Sequence, residues 1–289
     1  MIHCFGSINL DHVHRVPRLP RPGETLADTG YARHLGGKGL NQALAAARAG
    51  ASVRLSGAIG TGEAWLCAWL AGEGVITEGV AVLEDHATGH AVILVTPEGE
   101  NAIVIHAGAN RAIPERTLDA ALAAARPGDW WLMQNETAPG PEAMARARAR
   151  GLRTAYAAAP FEPEAVAAML EHLDLLAVNQ GEAAALTQTL GIGAEAVPML
   201  LVTEGAEGAR LHCAGETLHV AAVAVEAQDT TGAGDCFLGY LLAGLDTGLN
   251  ATPALTRAAA AAALSVTREG AASAIPTAAD VTAFLEARR

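Results

Sequence analysis

The stretch Leu173-Asp-Leu-Leu-Ala-Val-Asn179 has the pattern of a buried strand, followed by a helical pattern over 182–190 and a second apolar strand at Val197–Thr203. The same alternation precedes it, with predicted helices at 114–125, 141–150 and 163–171 and predicted strands at 129–134 and 154–158. Repeated helix–strand alternation is typical of a doubly wound, mainly parallel sheet with helices on both faces. The sequence therefore predicts a three-layer α/β/α fold.

The N-terminal third departs from this rhythm. Residues 2–8 are predicted to form a strand ending near Asn9, with Asn9 and Asp11 at its carboxyl end, where ligands bind in open α/β sheets. Two apolar runs within 90–106 flank a turn at 97–101 and predict a hairpin. Because no helix separates this hairpin from the preceding strand, we expect a small second sheet that acts as a lid or a dimer surface.

Composition limits the classes of partner. The 289 residues carry a formal net charge of −12, which argues against nucleic acid and anionic membranes as partners. The four cysteines are scattered and form no Cys-x-x-Cys pair, which is typical of free thiols in a reducing compartment. Since no apolar stretch has the length and low charge of a membrane helix, we expect a cytoplasmic protein.

A Gly-rich turn, Asp229-Thr-Thr-Gly-Ala-Gly-Asp235, leads directly into an apolar helical segment. The free N–H groups and the positive dipole end of such a helix bind an anion. Asp235, in the first turn, could accept a proton from a hydroxyl while the turn holds a phosphate. The alternative is that Asp235 only caps the helix.

A second Gly-rich segment, Leu35-Gly-Gly-Lys-Gly-Leu-Asn-Gln-Ala43, also leads into a helix. Lys38 is the single lysine among 19 Lys and Arg residues. This favours the interpretation that position 38 requires lysine because a guanidinium does not fit there. The segment lacks the Ser or Thr of a Walker A loop and the spacing of a dinucleotide-binding loop. Polar residues at the predicted strand ends favour an acidic site that tolerates Mg²⁺: Glu136, Asn179, Glu182, Thr203, Asp229 and Asp235.

The segments Gly36–Ala43 and Asp229–Asp235 resemble the two signatures of the ribokinase-like (PfkB) carbohydrate kinases. Shorter similarities extend the resemblance along nearly the whole chain: Asn9–Asp11, Pro22–Leu26, Gly99–Asn101, Ile105–Asn110, Asn179-x-x-Glu182 and Val266–Ala271. The resemblance implies a single kinase domain over 1–289, with a discontinuous β lid within about 10–35 and 86–107 that dimerises the protein.

The resemblance also implies roles for individual residues. Asp235 would be the general base, and Gly232, Ala233 and Gly234 would form the anion hole. The residues expected to hold the sugar are Asn9, Asp11, Gly37, Lys38, Asn41, Glu136 and Asp235. Those expected to face ATP are Asn179, Thr203, Gly205 and Gly234. Glu182 would organise the Mg²⁺ shell, and K⁺ would be held by Asp229, Thr231, Ser265, Arg268 and Gly270.

The expected reaction is the ATP-dependent phosphorylation of the primary hydroxyl of a pentose, and D-ribose is the expected pentose. One alternative is that the substrate is another sugar or a nucleoside. The other is that the protein is a non-catalytic sugar-binding sensor on the same fold. Three positions depart from the family pattern: Gly60-Thr-Gly62 in place of Gly-x-Asp, Ala259 where His occurs, and Ala274 where Ser is common in the cation loop. The last departure leaves K⁺ dependence open.

Overall fold

The computed structural model describes residues 1–288 of the chain. Within them, the larger sheet contains β1 (Ile2–Phe5), β4 (Val53–Gly60), β5 (Val75–Leu83), β8 (Trp130–Gln134), β9 (Arg153–Ala157), β10 (Leu175–Asn179), β11 (Met199–Thr203), β12 (Ala209–Cys213) and β13 (Glu216–Val220). Its order is β13-β12-β11-β10-β9-β8-β1-β4-β5. The strands from β11 to β5 in this order are parallel, and β12 and β13 extend the sheet as an antiparallel edge.

Helices cover both faces of the larger sheet: α1 (Lys38–Arg48), α2 (Trp65–Gly72), α3 (Glu115–Ala124), α4 (Gly140–Ala149), α5 (Pro163–Met169), α6 (Gln180–Ala185), α7 (Ala233–Asp246), α8 (Ala251–Ser265) and α9 (Ala278–Glu286). One buried cluster joins α1, α2, α7, α8 and α9 to the sheet, and a second joins α3, α4 and α5 to its other face. The predicted three-layer, mainly parallel α/β/α architecture is therefore confirmed.

A separate four-stranded sheet contains β2 (Asn9–Arg15), β3 (Gly30–Gly36), β6 (Gly89–Val95) and β7 (Asn101–His106). Its order is β3-β2-β6-β7, with β2 and β6 parallel and the other pairs antiparallel. The predicted hairpin over 90–106 is confirmed as the β6–β7 pair. β7 is a free edge of this sheet and carries exposed Ile103, Val104 and Ile105.

Two local predictions differ from the structure. β1 ends at Phe5 instead of near Asn9, because the chain leaves the larger sheet through Gly6–Ile8, and Asn9 is the first residue of β2. Asn9 and Asp11 therefore belong to the smaller sheet. The helix predicted at 182–190 is α6 followed by a π-helical turn at Leu186–Leu190.

The packing of α7 against α1 brings the two Gly-rich segments together. A Cβ on Gly239 of α7 would lie 2.6 Å from Ala45 Cβ and 2.6 Å from the carbonyl oxygen of Gln42, so only glycine allows this approach. Similarly, a Cβ on Gly39 would lie 2.5 Å from the backbone of Gly6. The helix starts therefore face the same cleft beside β1.

Among the helices of residues 1–288, none combines the length and apolar character that a membrane crossing requires.

Candidate active site

The start of α7 forms a backbone anion site. Gly232 precedes the helix in the left-handed conformation, with φ of 74°. Ala233 N–H donates a 3.3 Å hydrogen bond to the Thr230 carbonyl, whereas the N–H groups of Gly232, Gly234 and Asp235 donate to no acceptor within residues 1–288. With the positive end of a 14-residue helix behind them, these groups can bind an anion. Of the three residues predicted for the anion hole, Ala233 is the one whose N–H is partly used.

Asp235 lies in the first turn of this helix. Two side chains of α1 hold its carboxylate through hydrogen bonds. Asn41 Nδ2 donates to Oδ2 over 3.1 Å, and Gln42 Nε2 donates to Oδ1 over 2.7 Å. Burial raises the pKa of Asp235, and this outweighs the lowering by Lys38 and by the two amides. A carboxylate with a raised pKa is a stronger base, and its orientation is set by two hydrogen bonds.

Glu136 follows β8 and joins the two sides of the cleft. Its Oε2 accepts a hydrogen bond from Ser7 Oγ and a 3.3 Å hydrogen bond from the backbone N–H of Lys38. Ser7 Oγ in turn accepts from Gly39 N–H over 3.2 Å. Glu136 therefore fixes the start of α1 relative to the β1–β2 connection.

Asn9 and Asp11 lie on the same side of β2. Asn110, which sequence reasoning quoted in a motif but assigned no role, donates from Nδ2 to Asn9 Oδ1 over 2.7 Å. Its own Oδ1 accepts from Ile8 N–H over 3.0 Å. Because Asn110 occupies the Oδ1 of Asn9, the Nδ2 of Asn9 is the side-chain atom left to contact a ligand. No local pattern in the sequence marks Asn110 as this partner, because its burial and its contact with Asn9 arise from tertiary packing.

The carboxylate of Asp11 is the second titratable group of the cleft with a marked shift. Burial raises its pKa to about 6, His34 lowers it and Glu136 raises it. A Cβ on Gly36 would collide with this carboxylate, so the glycine leaves room for it. The charge of Glu136 raises the pKa of both Asp11 and Asp235.

Two adjoining cavities lie at the start of α7. A polar cavity of about 230 Å³ is lined by Lys38, Asn179, Glu182, Thr203 and the 232–235 turn, among others. An apolar cavity of about 440 Å³ is lined by Gly205, Ala259 and mostly Ala and Val side chains. Thr230 and Ala233 line both cavities. A phosphate chain fits the first and a flat apolar ring fits the second.

Asn179 and Glu182 form a capping box at the start of α6. Glu182 N–H donates to Asn179 Oδ1 over 2.9 Å, and Asn179 N–H donates to Glu182 Oε2 over 2.7 Å. Both residues therefore have a structural role in addition to facing the polar cavity. Glu182 Oε1 accepts no hydrogen bond within residues 1–288.

The predicted cation residues form a second cluster behind the start of α7. Asp229 Oδ1 accepts from Thr231 N–H and Oδ2 accepts from Gly270 N–H, each over 2.9 Å. Burial raises the pKa of Asp229, but these hydrogen bonds outweigh it and hold the pKa below its ordinary value. Asp229 N–H also donates to the Val266 carbonyl over 3.2 Å. The carboxylate thus joins the 229–231 turn to the loop after α8.

The loop after α8 lacks a side-chain oxygen at position 274. Ala274 is buried there, and the neighbouring Ser273 hydroxyl donates to the Glu269 carbonyl over 3.1 Å. Gly270 belongs to this loop, whereas Ser265 is the last residue of α8, and its carbonyl accepts from Arg268 N–H over 3.2 Å.

The model of the pfkB family of carbohydrate kinases matches residues 1–278. This chain belongs to that family. Its relatives include the ribokinase of Haemophilus influenzae, 36% identical over 98% of this chain and 97% of the relative, and the ribokinase of Bacillus subtilis, 33% identical over 96% of each.

Solved structures of family members have the same fold. Ribokinase from Cryptococcus neoformans var. grubii in complex with ADP superposes with a TM-score of 0.85 at 34% identity, over 98% of each chain. Arabidopsis thaliana ribokinase complexed with ribose and ATP superposes with a TM-score of 0.88 at 27% identity, over 99% of this chain and 98% of the other. A Burkholderia thailandensis nucleoside kinase shares the fold at 23% identity, with a TM-score of 0.87 and coverage of 99% and 97%.

Proposed function

We propose that this chain transfers a phosphoryl group from ATP to the primary hydroxyl of D-ribose and forms D-ribose 5-phosphate. The observation that carries the proposal is Asp235, a carboxylate oriented by two amides beside the backbone anion site of α7. The ribokinase relatives, similar over nearly the full chain, support ribose as the sugar.

The reaction needs a base and a site for developing negative charge. Asp235 accepts the proton of the sugar hydroxyl as the hydroxyl oxygen attacks the terminal phosphorus in line with the leaving group. The free N–H groups of Gly232 and Gly234 stabilise the transferring phosphoryl group, with a weaker contribution from Ala233. Closure of the smaller sheet over the cleft excludes water and limits wasteful hydrolysis of ATP.

The sugar is held between the smaller sheet and the start of α1. The proposed contacts are Asn9, Asp11, Gly37, Lys38, Asn41 and Glu136. Their amide and carboxylate groups suit the several hydroxyls of a pentose. ATP would place its phosphates in the polar cavity, near Asn179, Thr203 and Gly234, and its base in the apolar cavity beside Gly205.

Two cations belong to the same proposal. Mg²⁺ bound with ATP would neutralise part of the phosphate charge, and the free Oε1 of Glu182 suits its water ligands. K⁺ would be held by the oxygens of Asp229, Thr231, Ser265, Arg268 and Gly270, a donor set of carboxylate and carbonyl oxygens that suits this ion. Without a side-chain oxygen at Ala274, we expect weaker K⁺ activation.

The assembly and the compartment are also proposals. The exposed apolar edge strand β7 supports a homodimer formed through the smaller sheet. The four free cysteines support a reducing, cytoplasmic location.

The test is an ADP-release assay with ATP over D-ribose, other pentoses, ketohexoses and nucleosides, with and without K⁺. We expect turnover on ribose, and a loss of about 10²–10⁴-fold in kcat for Asp235→Asn because the general base is removed. Ribose binding, measured by calorimetry, should stay within a few-fold of wild type.

The matched control is Asp119→Asn, which removes a surface carboxylate of α3 that pairs with Arg146 of α4 and should leave turnover unchanged. Turnover on a nucleoside without turnover on ribose would keep the family and refute the substrate. Near wild-type turnover of Asp235→Asn would refute the base.

A further inference from the structure

Two glutamines connect Asp235 to the centre of the larger sheet. Gln42 on α1 and Gln134, the last residue of β8, are each only 1% exposed. Gln134 Nε2 donates to Gln42 Oε1 over 2.7 Å, and Gln42 Nε2 donates to Asp235 Oδ1 over 2.7 Å. The three side chains therefore form one series of hydrogen bonds that all run toward the carboxylate.

The direction of this series is set by chemistry. An ionised carboxylate only accepts hydrogen bonds, so Gln42 must present its Nε2 to Asp235. Its Oε1 then points into the core, where a donor is needed. Gln134 Nε2 supplies that donor, since the opposite orientation of Gln134 would place two carbonyl oxygens against each other. Gln134 therefore stabilises the orientation of Gln42 that the carboxylate requires.

The arrangement is retained at a cost. Gln134 Oε1 is buried and accepts no hydrogen bond within residues 1–288. It lies against Gly6, where a Cβ would collide with it, so the glycine leaves space for the carboxamide. A buried polar atom without a partner destabilises the fold and calls for an explanation in function.

We propose that Gln42 and Gln134 are positioning residues of the kinase reaction, which hold Oδ1 of Asp235 so that Oδ2 and the remaining lone pairs face the sugar hydroxyl. This inference rests on the proposed function only in taking Asp235 as the base. Gln42 acts on the carboxylate directly, and Gln134 acts through Gln42.

The same series favours the ionised form of Asp235. The charged groups that face this carboxylate are Lys38 on α1, which favours ionisation, and Glu136 after β8, which opposes it. The neutral donors are Asn41 and Gln42. Loss of the Gln42 donor leaves burial less opposed, so the carboxylate ionises at higher pH.

The test uses Gln42→Met and Gln134→Met, which keep the length of the side chain and remove its donors. The control is Thr154→Val, which removes buried hydrogen bonds to His172 and Asp174 on the neighbouring part of the sheet and lies outside the site. For each protein, the pKa of Asp235 is read from the pH dependence of the stability difference between it and its Asp235→Asn counterpart. The second readout is kcat and KM for ribose.

We expect the pKa of Asp235 to rise by about one unit in Gln42→Met and by less in Gln134→Met, because a hydrogen bond to a charged group is lost or loosened. The kcat of Gln42→Met should fall on the order of tenfold with little change in KM, and the acidic limb of its pH profile should move up. An unchanged pKa in both variants, or an equal shift in Thr154→Val, would overturn the inference. If wild type does not phosphorylate ribose, the substrate proposal fails, while the stability readout still decides the positioning role.

Discussion

At the scale of the residue, Asp11 shows how a carboxylate of the cleft can reduce stability. Its carboxylate is half-buried against Gly36, and burial raises its pKa to about 6 from an ordinary 3.8. The folded state therefore binds the proton more tightly than the unfolded chain does. The stability from this group is complete below about pH 4 and is lost as the pH rises through about 6.

We predict that Asp11→Asn raises the free energy of unfolding at neutral pH by about 1–3 kcal/mol, because a shift of this size corresponds to that cost. The fall in stability between about pH 4 and 6 should become shallower in the variant. Ribose binding should weaken, since an acceptor of the proposed sugar site is lost. Urea unfolding at several pH values and calorimetry with ribose measure both effects.

Asp28→Asn is the control for this variant, because Asp28 is an exposed carboxylate next to His14 on the same sheet. It should leave the ribose affinity unchanged. A lower stability of Asp11→Asn than of wild type at neutral pH would contradict the argument.

At the scale of the element, the contact between α1 and α7 sets the geometry of the base. Gly239→Ala would place a methyl group 2.6 Å from Ala45 Cβ, so the helices must separate. We predict a destabilisation of about 1–3 kcal/mol from overpacking. We also expect a lower kcat, because Gln42 on α1 and Asp235 on α7 move apart. Denaturant unfolding and the ADP-release assay measure the two effects.

Gly72→Ala is the matched control. Gly72 ends α2, and no atom lies within 4 Å of the added Cβ. This variant should be as stable as wild type or up to about 1 kcal/mol more stable, with unchanged kcat. If Gly239→Ala unfolds at the wild-type denaturant concentration, the close approach is not required.

At the scale of the whole molecule, β7 is the surface that we expect to join two copies of the chain. It is an unpaired edge strand whose Val104 is 71% exposed. An apolar exposed edge favours pairing with another chain. We predict that the wild type sediments as a dimer and that Val104→Glu sediments as a monomer, because a buried carboxylate at the interface costs more than the pairing contributes.

Val82→Glu is the control for the assembly. Val82 is also a valine on an edge strand, β5 of the larger sheet, and is 45% exposed. It should leave the sedimentation coefficient unchanged. If the Val104→Glu variant is still a dimer, the interface lies elsewhere. A monomeric wild type would refute the dimer prediction itself.

The parts of the molecule that follow local patterns were predictable. The predicted alternation of helices and strands between 114 and 203 has the correct order of elements. It was predictable because the apolar pattern that marks each helix or strand lies within that segment's own residues. The β6–β7 hairpin was predicted for the same reason. Asn9 was assigned to the end of the wrong strand, because the break at Gly6–Ile8 depends on the neighbouring sheet and leaves no periodic signal.

The residues of the candidate site divide in the same way. The Gly-rich turn before α7 and Asp235 could be found from sequence, since a helix start with glycines and a carboxylate is a local arrangement. The partners of these groups could not. Asn110 contacts Asn9 across 101 positions, and Gln134 contacts Gln42 across 92 positions.

The sequence alone determined the class of fold, the two Gly-rich helix starts and the identity of the candidate base, because each depends on residues close together in the chain. Only the tertiary structure decided how that base is held. The contact of α7 with α1 aims Asn41 and Gln42 at Asp235, and β8 supplies the donor that orients Gln42. Hydrogen bonds depend on direction and on distances of about 3 Å, and packing between distant segments sets both.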